Sequence, residues 1–230
     1  MEKSKIIEKL FYDIVTFSYL VLPALYLLSN PKTKYTFLLC MYGIVAFTLL
    51  LSFPTLPKYL KKIHVSVYTI FEYISFASIL FFAITNKKYR SIIIALSIGF
   101  STFQVFYFMT TKIGRLDSIP VGIETILIFF YIFLLLYEQF KNPEVTSVLN
   151  TYSFWLALGM LLYLGGCFFF NIMINYISEK EIDSYLFLTY IPEVLKNLFF
   201  SVAIYLYTKI AHKLNHKRTK SDSVPYLDTI

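Results

Sequence analysis

Long apolar stretches separated by short polar segments dominate the chain. Seven windows are each long enough to cross a hydrocarbon core of about 30 Å, because an α-helix rises about 1.5 Å per residue. The windows cover roughly residues 10–29, 35–53, 64–85, 91–110, 119–137, 152–176 and 186–208. This pattern predicts an all-α fold: a polytopic membrane protein built as a seven-transmembrane-helix bundle.

The polar segments outside these windows are short. We expect residues 1–210 to form one transmembrane domain and residues 211–230 to form a basic, disordered cytoplasmic tail. The charged N-terminus lacks the cleavage region of a signal peptide, so the first window is predicted to remain a helix, kinked at Pro23. This division leaves no room for a soluble catalytic or DNA-binding domain.

Composition and charge agree with a membrane protein. Hydrophobic residues make up 57% of the chain and charged residues only 15%, and the mean hydropathy is +0.64. The net charge of +7 is spread over short segments, as topogenic charge is, so we predict the lipid bilayer as a partner and no nucleic acid. A slight excess of basic residues on the C-terminal side favours an N-out/C-in orientation.

Cysteine and histidine positions do not suggest a metal site. Cys40 and Cys167 fall inside the second and sixth windows, where a reduced cysteine acts as a small apolar residue. His64, His212 and His216 lie at a helix mouth and in the tail, without the spacing of metal ligands. We therefore predict neither a metal nor a cofactor.

Lys196 is the only basic residue placed well inside an apolar window. Inserting a charged side chain at the centre of a membrane helix costs about 2.5–3.5 kcal/mol, so such residues are usually paired and functional. Glu193 lies three residues earlier on the same helix face, and we expect it to be the first partner of Lys196.

Other polar residues share the depth of this pair. Glu72 and Glu124 lie near the starts of odd-numbered helices, and Gln104 and Asn171 lie near the ends of even-numbered ones. Helical rise puts the glutamates roughly 8–12 Å inside the membrane from its N-terminal side. The opposite half of the bundle is mostly apolar, so we expect a polar pocket in the N-terminal-side leaflet with an apolar plug below.

The predicted pocket defines the candidate ligand-binding residues. Tyr68 is expected to form part of the wall. The candidates themselves are Glu72, Gln104, Glu124, Asn171, Glu193, Lys196, Tyr73 and Tyr190. The competing interpretation is a buried network that only fixes helix packing.

Four short stretches carry a resemblance to a known group of proteins. They are Phe71-Glu72-Tyr73, Asp117-Ser118-Ile119-Pro120 with Glu124, Tyr137-Glu138-Gln139 and Ser153-Phe154-Trp155. Together they resemble an uncharacterised family of seven-helix membrane proteins from Bacteroidetes-type bacteria. The resemblance implies the same helix count and a bacterial inner (cytoplasmic) membrane location.

A lysine on the last helix and a carboxylate on the third also resemble retinal-binding rhodopsins. That resemblance would make Lys196 the Schiff-base lysine and Glu72 its counterion. Pro192 stands where an acidic residue would be expected, and the sixth helix lacks the Trp/Pro pocket pattern. We therefore disfavour a retinal-binding protein.

The order of features is compatible with a 3+1+3 arrangement of helices. Asn30-Pro31 follows the first window and Asn142-Pro143 follows the fifth. Glutamates occupy similar positions in the third and seventh windows. Parallel repeats of this kind occur in some transporters.

The sequence favours a non-enzymatic sensor or ligand-binding protein. A small-molecule or lipid ligand would occupy the polar pocket, and a signalling partner protein would supply the output domain that we do not find in the sequence. The alternative is a small secondary transporter or proton-coupled carrier that uses the buried carboxylates. An intramembrane enzyme is disfavoured because no HExxH or GxSxG motif is present.

Overall fold

The structure of this chain is a computed structural model that describes residues 2–29, 33–110, 118–141, 151–173 and 179–221. Every regular element in these ranges is helical. A short 3₁₀ helix, Phe53–Thr55, separates the third and fourth α-helices. The α-helices are α1 (Glu2–Ser18), α2 (Val21–Leu28), α3 (Lys34–Ser52), α4 (Lys58–Ala83), α5 (Lys87–Thr110), α6 (Ser118–Lys141), α7 (Tyr152–Met173) and α8 (Glu179–Ser221).

Five described segments are long and apolar enough to cross a membrane. They are Lys9–Leu28, Lys34–Thr55, Ile63–Ala83, Lys87–Thr110 and Ile119–Lys141. A shorter apolar stretch, Tyr152–Phe168, lies in α7. The predicted all-α class is confirmed, with several helices able to span a bilayer, whereas the count of seven spans stays a prediction.

The first predicted helix is broken into α1 and α2 before Pro23. Proline has no N–H, so Pro23 cannot donate to the carbonyl of Tyr19 four residues earlier. The N–H of Leu22 donates to that carbonyl instead, at 3.3 Å. Gly43 of α3 packs against the break, where a Cβ atom would lie only 2.7 Å from the Tyr19 carbonyl oxygen. The break therefore lies about one turn before the proline, and a glycine makes room for it.

All eight α-helices contribute buried residues to a common core, and α5 packs mainly on α4 and α6. Two glycines of α7 allow α8 to approach closely. A Cβ on Gly159 would lie 3.1 Å from Cβ of Phe199, and one on Gly166 would lie 2.5 Å from Cγ of Pro192. Unusually for a core, its largest fully buried side chains include Lys196 and several tyrosines.

Several boundaries differ from the sequence prediction: α1 begins at Glu2 rather than near residue 10, and α8 begins at Glu179 rather than near residue 186. The helix α4, which corresponds to the third predicted window, begins at Lys58 rather than at the expected residue 64. Pro57 is its N-cap. The last helix continues to Ser221, into the stretch 211–230 that was expected to be a disordered tail. Residues 211–221 are rich in good helix formers such as lysine and contain no glycine or proline, which favours continuation of the helix. Residues 222–230 lie outside the described part of the chain.

Candidate functional site

The side chain of Lys196 is fully buried and fully hydrogen-bonded. Its Nζ donates to the hydroxyl of Tyr42 at 2.7 Å, to the hydroxyl of Tyr19 at 2.8 Å and to Oε1 of Glu72 at 3.5 Å. An ammonium group has three donors, so these contacts use all of them. The ion pair is with Glu72, not with Glu193 as the helix periodicity predicted. A covalent bond at Nζ, as in a retinal protein, would have to replace these contacts.

Aromatic rings surround the same ammonium group. Nζ lies 3.6 Å from the ring centroid of Tyr163, 5.0 Å from that of Tyr19 and 5.2 Å from that of Tyr42. The ring of Phe76 lies 5.7 Å away. Cations are attracted to aromatic faces within about 6 Å, so this cage offsets part of the cost of burying the charge.

Glu72 of α4 is the hub of the network. Its Oε1 accepts hydrogen bonds from the hydroxyls of Tyr42 at 3.0 Å and Tyr68 at 3.2 Å, as well as from Lys196. Its Oε2 accepts one from Tyr163 at 2.9 Å. Charge-assisted bonds of this kind are roughly twice as strong as neutral ones, so Glu72 is firmly held by three helices besides its own.

Tyr19 joins the second carboxylate to this hub. It accepts a hydrogen bond from Lys196 and donates one to Oε1 of Glu193 at 2.6 Å. Tyr19 can do so because it lies at the break between α1 and α2, where its ring faces that of Tyr42 at a centroid distance of 5.8 Å. Glu193 therefore reaches Lys196 through a tyrosine hydroxyl.

Three of these tyrosines, Tyr19, Tyr42 and Tyr163, were missed by the sequence analysis. Tyrosine in membrane proteins concentrates at the interfaces, and a buried hydroxyl usually has a hydrogen-bond partner. A tyrosine near the middle of an apolar window therefore marks a polar partner on another helix. With 20 tyrosines in the chain, composition alone did not single these three out.

A cavity of about 240 Å³ adjoins the network and is partly open. Its lining comes from the N-terminal parts of α4 and α6 and the C-terminal parts of α3 and α7, together with α1 and α8. The lining residues are Tyr12, Leu50, Phe53, His64, Val65, Tyr68, Thr69, Glu72, Val121, Glu124, Tyr163, Leu164, Cys167, Phe170, Thr189, Tyr190 and Glu193. Glutamates from three different helices thus face one space.

Glu124 of α6 differs from the other two carboxylates. It is only 2% exposed, and its Oε1 has no hydrogen-bond partner among the residues that the structure describes. Leaving a buried polar group unpaired costs about 1–3 kcal/mol, and more when it is charged. The site therefore has an unused acceptor beside the cavity.

The structure brings together some of the predicted site residues and separates others. Glu72, Glu124, Glu193, Tyr68 and Tyr190 line the cavity, whereas Lys196 lies behind its wall.

Gln104 and Tyr73 lie elsewhere. The amide of Gln104 is buried and donates to the carbonyl of Ser66 at 3.4 Å, apart from the cavity lining. The hydroxyl of Tyr73 donates to Ser97 at 3.1 Å and pairs with the hydroxyl of Tyr131 at 2.9 Å, away from the cavity. The side chain of Asn171 lies outside the described residues.

Metal binding finds no support in the part of the chain that is described. No group of three or more His, Cys, Asp or Glu side chains there could hold a metal ion.

Comparison of the chain with models of protein families, with curated proteins and with solved structures finds no match. The arrangement of the buried residues is therefore the basis for assigning a function.

Proposed function

We propose that this chain is an integral membrane protein that binds a small ligand in the cavity beside Glu72 and signals through a partner protein. The observation that carries the proposal is that the buried lysine and the buried Glu124 differ in how completely they are hydrogen-bonded. Lys196 is saturated within the packed core, whereas Glu124 lines the cavity and has a buried oxygen without a hydrogen-bond partner among the described residues. A network that only fixed helix packing would have no reason to keep a partly open cavity beside an unpaired carboxylate.

The proposal includes the placement of the protein. It is a seven-helix bundle in a bacterial inner membrane, with its N-terminus outside and its C-terminus inside. The cavity then belongs to the outer leaflet, so its ligand arrives from outside the cell or from the outer half of the bilayer.

The course of α8 supports signalling by this site. The helix carries both Glu193 and Lys196 and continues without interruption to Ser221. It packs against α1, α2 and α7. A ligand that alters the Glu193–Tyr19 contact therefore acts on a helix whose C-terminal stretch is rich in lysine.

Native mass spectrometry of the protein released from nanodiscs tests this proposal. Val121→Trp fills the cavity without changing its charge, and Val105→Trp adds the same bulk on α5, at a residue that is 53% exposed. We expect wild type and Val105→Trp to carry a co-purifying mass that Val121→Trp lacks. Wild-type protein without such a mass, or a mass that both variants retain, would contradict the proposal.

The second candidate is a proton-coupled carrier. It is favoured by the unbroken chain of polar contacts from Glu193 through Tyr19 and Lys196 to Glu72. Such a chain could pass protons between two carboxylates that face the same cavity. A pH-dependent flux into proteoliposomes that Glu72→Gln and Glu193→Gln abolish would favour the carrier over the sensor.

A further inference from the structure

Carboxyl groups outnumber ammonium groups around the cavity, and this excess indicates what kind of ligand fits. Among the described residues, three glutamates line the cavity and one ammonium group lies behind it, and that ammonium is paired with Glu72. Glu193 accepts a hydrogen bond from the neutral hydroxyl of Tyr19, whereas Oε1 of Glu124 accepts none from the described residues. The site therefore has acidic capacity that the described part of the protein does not neutralise.

His64, a nitrogen base in the cavity lining, does not supply a positive charge to Glu124. It lies two turns before Glu72 on α4, and its Nε2 is 3.2 Å from Oγ of Ser52. Its ring packs on Phe53, with centroids 5.6 Å apart. His64 is therefore engaged with the end of α3 and the 3₁₀ helix.

The unpaired oxygen of Glu124 calls for a hydrogen-bond donor when the carboxylate is ionised, because an ionised carboxylate is an acceptor only. A neutral Glu124 would carry one O–H donor in addition to its acceptor oxygen. Charge-assisted bonds to a carboxylate are the stronger kind. A protonated amine is thus a better complement to Glu124 than a neutral hydroxyl group is.

The other side chains that line the cavity favour a ligand with an apolar body. It includes aromatic rings such as Tyr12 and Tyr190, whose centroids are 6.4 Å apart, and apolar side chains such as Val65, Val121 and Leu164. Aromatic faces attract cations. An apolar cavity of about 150 Å³ admits benzene, so a space of about 240 Å³ holds a somewhat larger molecule.

We propose that the cavity binds a monovalent organic amine, an ammonium group on an aliphatic or aromatic body, with its ammonium bonded to Glu124. This inference rests on the proposed function and narrows it to one class of ligand. A metal cation is a poorer fit because the described residues offer no group of three such ligands. An anionic ligand would meet the uncompensated carboxylates.

Equilibrium binding to the protein in nanodiscs tests the class of ligand. The probes are a series of alkyl and aryl amines, from butylamine to 2-phenylethylamine, each paired with the alcohol of the same carbon skeleton. Amines are expected to bind saturably, about ten- to a hundred-fold more tightly than their alcohols. Glu124→Gln should remove that preference. Glu138→Gln, on the same helix but paired with Thr85 outside the cavity, should retain it.

The outcomes separate this inference from the function on which it rests. If amines and alcohols bind equally, or if no amine binds, while Val121→Trp still loses a co-purifying mass, the amine class is wrong and the ligand-binding function stands. If no probe binds and no mass depends on Val121, both are wrong. Amine binding that is the same in Glu124→Gln as in wild type would also overturn the assignment.

Discussion

Nζ of Lys196 in α8 lies 3.5 Å from Oε1 of Glu72 in α4, although Glu193 is one turn away on the lysine's own helix. The ion pair therefore ties together two helices that are far apart in the sequence. Tyr19 and Tyr42 complete the coordination of the ammonium. In this arrangement the lysine stabilises the packing of the helices, whereas the glutamates line the cavity.

The first prediction concerns this ion pair. Lys196→Met leaves Glu72 buried without its counter-charge, so we expect the free energy of unfolding to fall by about 3–5 kcal/mol. Replacing both partners, as Lys196→Met with Glu72→Gln, should restore part of the loss because no unpaired charge remains. Equilibrium unfolding in mixed micelles measures both. Equal losses in the single and double variants would contradict the assignment.

The second prediction tests the tyrosine contacts. Tyr42→Phe removes a hydrogen bond from Lys196 and one to Glu72 while keeping the ring. We expect a loss of about 1–3 kcal/mol in the free energy of unfolding, because both partners are charged and buried. Tyr205→Phe is the control, since Tyr205 is 61% exposed and should give no measurable change. Similar unfolding curves for the two variants would argue against the network.

The third prediction concerns the contact between α7 and α8. In Gly166→Ala the new methyl group would lie 2.5 Å from Cγ of Pro192, a rigid ring, so the helices must move apart. We expect a loss of about 1–3 kcal/mol from overpacking. Gly99→Ala meets no atom within 4 Å and should be neutral or slightly stabilising, since alanine favours helix. A neutral Gly166→Ala would mean that this approach is not needed.

The fourth prediction separates binding from stability. Glu124 has an unpaired buried oxygen, so Glu124→Met should raise the free energy of unfolding of ligand-free protein by about 1–3 kcal/mol. Glu72→Met removes an acceptor of four hydrogen bonds and should lower it. Thermal unfolding of the two variants, side by side in detergent, distinguishes them. Two variants that shift in the same direction would show that the carboxylates share one structural role.

Position along a helix could be predicted from the sequence, because a residue's distance from the end of an apolar window gives its distance along the helix. On this basis Glu72, Glu124 and Glu193 were expected at one level, and the three side chains line one cavity. The identity of the lysine's partner could not be predicted in this way. Glu72 and Lys196 are 124 residues apart, and their contact depends on how α4 and α8 pack.

Direction around a helix was available from the sequence but was not used for Tyr73. Successive residues of an α-helix point about 100° apart, and the hydroxyl of Tyr73 contacts Ser97 and Tyr131 rather than the cavity that Glu72 lines. Tyr68 lies four residues before Glu72, on the same face, and its hydroxyl bonds to that carboxylate. The break at Tyr19 is a different case, because a proline shows where a carbonyl is freed but not which helix will pack against it.

The proposed ligand site at Glu124 is tested most directly by measuring the occupancy of the cavity in Glu124→Gln. Native mass spectrometry of protein released from nanodiscs would compare it with wild type and with Glu138→Gln. The account predicts a bound mass in wild type and in Glu138→Gln that is absent from a folded Glu124→Gln protein. A mass that Glu124→Gln retains in full would contradict the claim that this unpaired carboxylate holds the ligand.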